Sequence, residues 1–513
     1  MGEKQIQAKM KRLLPLMVAG VVMAATGLAI AGKADNSINV GLGANVTTLD
    51  SYRESDRGGL MLARLVYDSL LSKDQKTNEF KPELATSYKL VDDKTIDLEI
   101  RKGVKFHDGT LLTAEDVAYT LNLVSSKEYG ARYQVAVDWI EKVEKTGDYS
   151  VRLHMKRPFA AALEMLAGNL PIYSKAYYSK VGPEGMAVKP VGTGPYRATE
   201  VVPGTRMKFE RFAEYYEGSP KGKPSVEAIN VRLLPEANTQ YAELASGRLD
   251  WIWRMPIDAS EKLKRLPNVA VDNTQILRFE YIAFNPGYNG GKSPLADARV
   301  RKAIAMAINR DPIRQAFHGS NASLLRAACA PQQFGCADDV ATYPYDPKAS
   351  RELLAQAGYP NGLSIEAVSV IPNPSVNAAI GAAFKAGGID VKISPATYAS
   401  ALGDWRAGKL AMFISTWGSY GIGDVSLSTS QFFSGNADDL FKDQKVIPLL
   451  KAADNSTDRA FRKANYREAL QRIAEQAYWV PLWTYSINSA HHKDLQVTVD
   501  PDEFVRFYSA RWK

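Results

Sequence analysis

The chain has 513 residues, too many for one hydrophobic core, so two or three domains are expected. Its composition, 45% hydrophobic and 23% charged with 37 Gly and 26 Pro, is that of a packed globular protein and excludes a disordered or fibrous one. The formal charge of +8 is mild, and basic and acidic residues are interleaved throughout, so no nucleic-acid partner is expected.

At the N-terminus, Lys4, Lys9, Lys11 and Arg12 precede an apolar run from Leu13 to Ala31 that ends in Ala29-Ile30-Ala31. A basic segment, an apolar segment and a small-x-small site together read as a secretory signal peptide over residues 1–31. Pro15, Gly20 and Gly27 weaken the same run as a membrane span, and no later stretch is a transmembrane candidate. No cysteine follows the run to carry a lipid anchor, so a soluble exported form in the periplasm of a Gram-negative cell is expected. The only two cysteines, Cys329 and Cys336, lie in a loop with Pro331 and Gly335. In an oxidising compartment they are expected to form a disulfide, and without further Cys or His ligands nearby no metal site is expected.

The elements follow in order. Ser37 to Leu42 and Thr95 to Ile100 alternate polar and apolar residues, as strands do. His107-Asp108-Gly109 is a turn. Thr113-Ala114-Glu115-Asp116 is a capping box that starts a helix with Val117, Thr120, Leu121 and Val124 on one face. Gly192-Thr193-Gly194-Pro195-Tyr196 lacks the spacing and the lysine of a phosphate loop and reads as a tight crossover between lobes. Val231 to Leu234, Asn238 to Ser246 and Leu249 to Trp253 form a strand-helix-strand unit, which favours a parallel sheet. Asp297, Asp311-Pro312 and Asp346-Pro347 each start a helix. Strand Leu363–Ile371, helix Val376–Lys385 and strand Ile389–Ile393 follow, then a long helix over 460–477. The fold class expected is α/β, without an internal repeat.

Four stretches resemble the family of bacterial extracellular solute-binding proteins that serve peptide and nickel ABC importers, known as family 5. They are the run from Ala85 through Arg101–Gly109 to Val117; Gly192–Tyr196 with Glu214-Tyr215-Tyr216-Glu217-Gly218; Ala283-Phe284-Asn285 with Asp297–Ile304; and Tyr345-Asp346-Pro347 with Leu353–Pro360. The resemblance implies a bilobal periplasmic-binding-protein fold: two α/β lobes with a hinge, and an extra subdomain in the first lobe. Residues 38–64, 189–284 and 489–513 would build lobe I, 65–188 the extra subdomain and 285–488 lobe II. It also implies a ligand in the interlobe cleft, partnership with the membrane permease subunits, a monomer, no cofactor and no catalytic residue.

Candidate ligand-binding residues come from three stretches. Trp417, Tyr420 and Asp424 lie in a glycine-rich segment, and Asp424 matches the aspartate that pairs with the ligand's ammonium group in peptide-binding relatives. Trp251, Trp253 and Arg254 end the strand-helix-strand unit, and Tyr52 lies on the loop after the first strand. Relatives that bind dipeptides carry an arginine before a Pro-x-Asn-Pro segment. Here Ser369-Val370-Ile371-Pro372-Asn373-Pro374 has none, which argues against strict dipeptide specificity and leaves Arg254 or Arg278 as alternative anion clamps. Non-peptide cargo (an opine, a sugar conjugate or a metal complex) remains an alternative. A secreted hydrolase is disfavoured: the five histidines fit no metalloprotease pattern, and no Gly-x-Ser-x-Gly elbow occurs. Adjacent His491 and His492 should point to opposite sides of a strand, as a surface pair.

Overall fold

The structure, a computed structural model, describes residues 32–513 except Ser55 and Lys76, so the signal-peptide segment lies outside the described residues. Its frame is one ten-stranded mixed sheet. In spatial order the strands are Ile389–Pro395, Leu363–Ser369, Met412–Trp417, Val269–Phe284, Trp479–His492, Trp251–Met255, Ser37–Leu42, Ala228–Leu233, Arg206–Arg211 and Tyr196–Val202. A separate four-stranded antiparallel sheet, Ala85–Asp92, Thr95–Ile100, Ser150–Met155 and Ile140–Gly147, forms the subdomain.

The two long strands make the molecule bilobal. One half of Val269–Phe284 pairs with the far half of Trp479–His492 beside the first lobe, from Val269 with His492 to Gln275 with Ser486. Its other half, Phe279–Phe284, lies between Met412–Trp417 and Trp479–Thr484 in the second lobe. The register slips between Gln275 and Tyr281. Ile276–Arg278 therefore leave the ladder where the chain passes between lobes, and Leu277 instead donates its N–H to Pro501 O at 2.8 Å. In the second lobe the period of two sends Ile282 and Phe284 to one core and Phe279, Tyr281 and Ala283 to another, so that sheet is covered on both faces. The first lobe and the subdomain share a single core that includes Val40, Leu65, Leu98, Trp139 and Phe504.

Most sequence-derived boundaries stand within two residues. The capping box at Thr113 and Asp116 is formed, and Asp297 and Asp346 cap their helices. Three readings are corrected and a fourth, the parallel strand-helix-strand unit, is refined. Asn309, not Asp311, precedes helix Arg310–His318; Asp311 turns its carboxylate to Arg314 and Gln315 one turn on. The strand-helix-strand unit is parallel, but Ser37–Leu42 lies between its two strands. Gly192-Thr193-Gly194 does not run between the lobes. It presses on the end of helix Arg57–Val66, where a Cβ at Gly192 would lie 2.1 Å from Val66 O and one at Gly194 2.5 Å from Val66 C. His107 locks the contact through its imidazole, 2.9 Å from Gly194 O. His491 is buried rather than a surface residue; burial opposes its charge, but the Asp272 carboxylate 3.1 Å away raises its pKa overall. Among the described residues no helix is long and apolar enough to cross a membrane.

Candidate functional site

The best-formed hollow lies between the lobes and holds about 1070 Å3 of empty space, part of it open to solvent. Helix Arg57–Val66 and the C-terminal loop 500–508 supply one wall, through Arg57, Arg64, Phe504, Arg506 and Tyr508. The subdomain contributes Tyr133, Met165 and Asn169, and the second lobe closes the space with Tyr420 and Ile422. Ile422 and Leu427 are seated within the first lobe's core, so the two lobes meet in a closed arrangement.

Charge is concentrated on the first wall. Arg57 and Arg64, seven residues apart, emerge from one face of their helix. Glu503 receives Arg254 at 3.0 Å, Arg278 at 3.2 Å and Arg57 at 3.8 Å. Asp502 receives Arg506 at 2.7 Å and Arg64 at 3.2 Å, and Arg506 also reaches Asp500 at 2.9 Å. Burial would raise the pKa values of Asp502 and Glu503, but the arginines outweigh it and hold both carboxyls below their ordinary range. Five arginines thus face three carboxylates, leaving a surplus of positive charge beside the hollow. Deeper in, Lys221 donates to Asp68 at 2.6 Å and stands 3.5 Å from Glu83. Burial, reinforced by the neighbouring Asp68 charge against Lys221, pushes Glu83 up to about 8.

Of the residues singled out in the sequence, the structure brings Tyr52 and Tyr420 to the hollow. Tyr52 donates to Pro171 O at 2.7 Å, and its loop is held by Asp50, which accepts from Tyr173 at 2.8 Å and Tyr129 at 3.2 Å. Tyr420 is carried at φ +54°, edge-on to Trp417 and Tyr133. Trp417 does not line the hollow; it donates to Leu427 O at 2.6 Å and props Tyr420 from behind. Trp251 is 0% exposed and packs edge-on against Phe507, while Trp253 is buried with the Arg254 guanidinium over its ring. Arg254 joins the charge cluster through Glu503 without lining the hollow.

Asp424 is 3% exposed and does not line this space; it lines a separate hollow together with Arg462. Both its oxygens are 2.8 Å from Arg462 Nη2, and one accepts the Ser426 N–H at 3.0 Å. Its segment is braced by the loop closed by the Cys329–Cys336 disulfide, whose Cα atoms are 5.8 Å apart. From that loop Phe334 exchanges backbone hydrogen bonds with Gly423 and Val425, and the Gln333 amide reaches Ser419 Oγ and Ile422 O. Sequence reasoning missed Arg57, Arg64, Glu83, Lys221, Arg506 and Tyr508. The i, i+7 arginine pair was the one local signal; the others converge only through tertiary packing.

A closed hollow between two lobes strung on two sheet strands defines a binding protein of the bilobal periplasmic type. The family model for bacterial extracellular solute-binding proteins, family 5, matches residues 79–439, and the chain belongs to that family. It is similar to the glutathione-binding protein GsiB of Escherichia coli K12, 28% identical over 504 residues and covering 94% of each chain. Among solved structures, HbpA2 from Haemophilus parasuis superposes with a TM-score of 0.84 at 23% identity, covering 93% of this chain and all of that one. The DppA periplasmic binding protein from Helicobacter pylori, in complex with the peptide STSA, gives 0.73 at 24%, covering 93% and 98%.

Proposed function

We propose that this chain captures a peptide or peptide-like solute in the periplasm and hands it to the membrane permease of its importer, acting as a carrier and not as an enzyme. The supporting observation is the hollow walled by both lobes: a solute held there touches Arg64 and Tyr420 together, so its binding energy favours the closed form. The permease can then distinguish loaded from empty protein by shape.

We assign 38–64, 189–284 and 489–513 to lobe I, 65–188 to the subdomain and 285–488 to lobe II. The shared core of the first two and the separate cores of the third support this division. Residues 1–31 are removed on export, and the mature protein is a monomer. The relative named for glutathione makes a small thiol peptide the first solute to try. Native mass spectrometry of freshly purified protein, followed by calorimetry with glutathione and short peptides, is expected to show one saturable site per chain. Sustained product formation from those peptides would overturn the carrier reading.

A further inference from the structure

The interlobe hollow is one-sided in charge. Arg57, Arg64, Lys73, Lys221 and Arg506 line it, and among the described residues Glu83 is the one acidic side chain that does. Glu83 is 2% exposed, with Oε1 lacking a hydrogen-bond partner, and burial keeps it protonated near neutral pH. The hollow therefore presents no ionised carboxylate to a solute. The acid that would receive an ammonium group in relatives, Asp424, is already committed to Arg462 behind the wall.

One cation is left incomplete. Arg506 is 8% exposed and spends Nε on Asp500 and Nη2 on Asp502, while its Nη1 has no partner. A buried guanidinium N–H without an acceptor is costly unless something occupies the site. Tyr508, two residues on, lines the same wall, and its hydroxyl has no hydrogen-bond partner among the described residues. The unpartnered Nη1 and the phenol are thus two donors on residues of the same wall.

We infer that this wall is an anion seat: Arg506 and Tyr508 receive a carboxylate of the solute, Arg64 and Arg57 supply long-range attraction, and the cargo is a net-negative peptide-like acid. This rests on the carrier reading and narrows it. The missing arginine before Pro372 is then replaced from the opposite lobe, so the carboxylate is held by the first lobe instead of the second. A carboxylate between a guanidinium and a phenol gains charge-assisted hydrogen bonds that an ester or amide cannot match.

Calorimetry with glutathione, glutathione dimethyl ester, trialanine, trialanine amide and mannopinic acid tests this on the wild type and three variants. Free acids are expected to bind at least about tenfold more tightly than their blocked forms, the scale of one hydrogen bond to a charged group. Tyr508→Phe removes a hydroxyl that no protein group uses, so it should weaken the acids about tenfold and leave the blocked forms unchanged, with no loss of melting temperature. Arg506→Lys should weaken the acids further. Tyr216→Phe also deletes a buried unpartnered hydroxyl, but one outside the hollow, and should change no affinity. Equal affinity for free and blocked peptides, unaltered in Tyr508→Phe, would overturn the seat and leave a peptide carrier standing. Binding of mannopinic acid alone, lost in Tyr508→Phe, would uphold the seat and overturn the peptide cargo. If no acid binds while a neutral solute does, the seat falls outright.

Discussion

Single side chains decide what the hollow will hold. Glu83 is faced by Lys221 and Asp68 and by the hydroxyl-bearing rings of Tyr215, Tyr216 and Tyr508; burial, the largest influence, places its pKa at about 8. Below that pH it is neutral and tolerates an anion nearby; above it, a carboxylate meets a carboxylate. Affinity for an acidic solute should therefore fall as pH rises from 7 to 9, and Glu83→Gln should flatten the profile when titrated by calorimetry. Asp424 makes the opposite point. Its pair with Arg462 is buried at both ends, so Arg462→Met leaves an uncompensated charge and should cost about 3 kcal/mol or more in denaturant unfolding. Asp424→Asn should likewise cost stability, yet its solute affinity, measured well below the melting temperature, should stay near that of the wild type. The sequence alone could match Asp424 to a family position but not see Arg462, 38 residues away, waiting to take it.

At the scale of elements, local patterns were readable because local physics sets them. The capping box at Thr113, the aspartate caps at 297 and 346, and the period-two runs at 37–42 and 95–100 depend on neighbours within a few residues. What stayed hidden is long-range: Ser37–Leu42 inserted between two later strands, and arginines from residues 57, 64, 254, 278 and 506 gathered around acids at 500–503. Trp251 and Trp253 illustrate the difficulty, since alternation says that they share a face but not that the face is closed by Phe507. The disulfide loop is the element most open to direct test. A bridge closing so short a loop contributes about 2–3 kcal/mol by chain entropy. Its larger role is to hold the 419–425 backbone through Gln333 and Phe334. Replacing both cysteines by alanine should lower the melting temperature and weaken solute binding several-fold by calorimetry, although neither sulfur lines the hollow.

For the whole molecule, closure rests on a small contact. Ile422, 1% exposed, sits in the core of the opposite lobe, and an aspartate there would have to bring its charge with it. Ile422→Asp should therefore keep each lobe folded while shifting the population open. Small-angle scattering would then report a larger radius of gyration that saturating solute no longer reduces. The family and the two-lobed plan were legible in the sequence because four motifs, each weak alone, recur in order; the cargo was not, because its contacts come from segments as distant as Arg57 and Tyr420.

The C-terminal loop has a role beyond lining a wall. Pro501 accepts the N–H of Leu277 where the crossing strand slips register, Glu503 holds Arg278 in the same stretch, and Arg506, three residues later, faces the solute. The loop thus works as a linkage rod, with one end on the pivot and the other on the load. A negative charge seated on the unpartnered Nη1 of Arg506 adds an acceptor to the same loop whose Pro501 and Glu503 hold the crossing strand, so cargo and joint share one element.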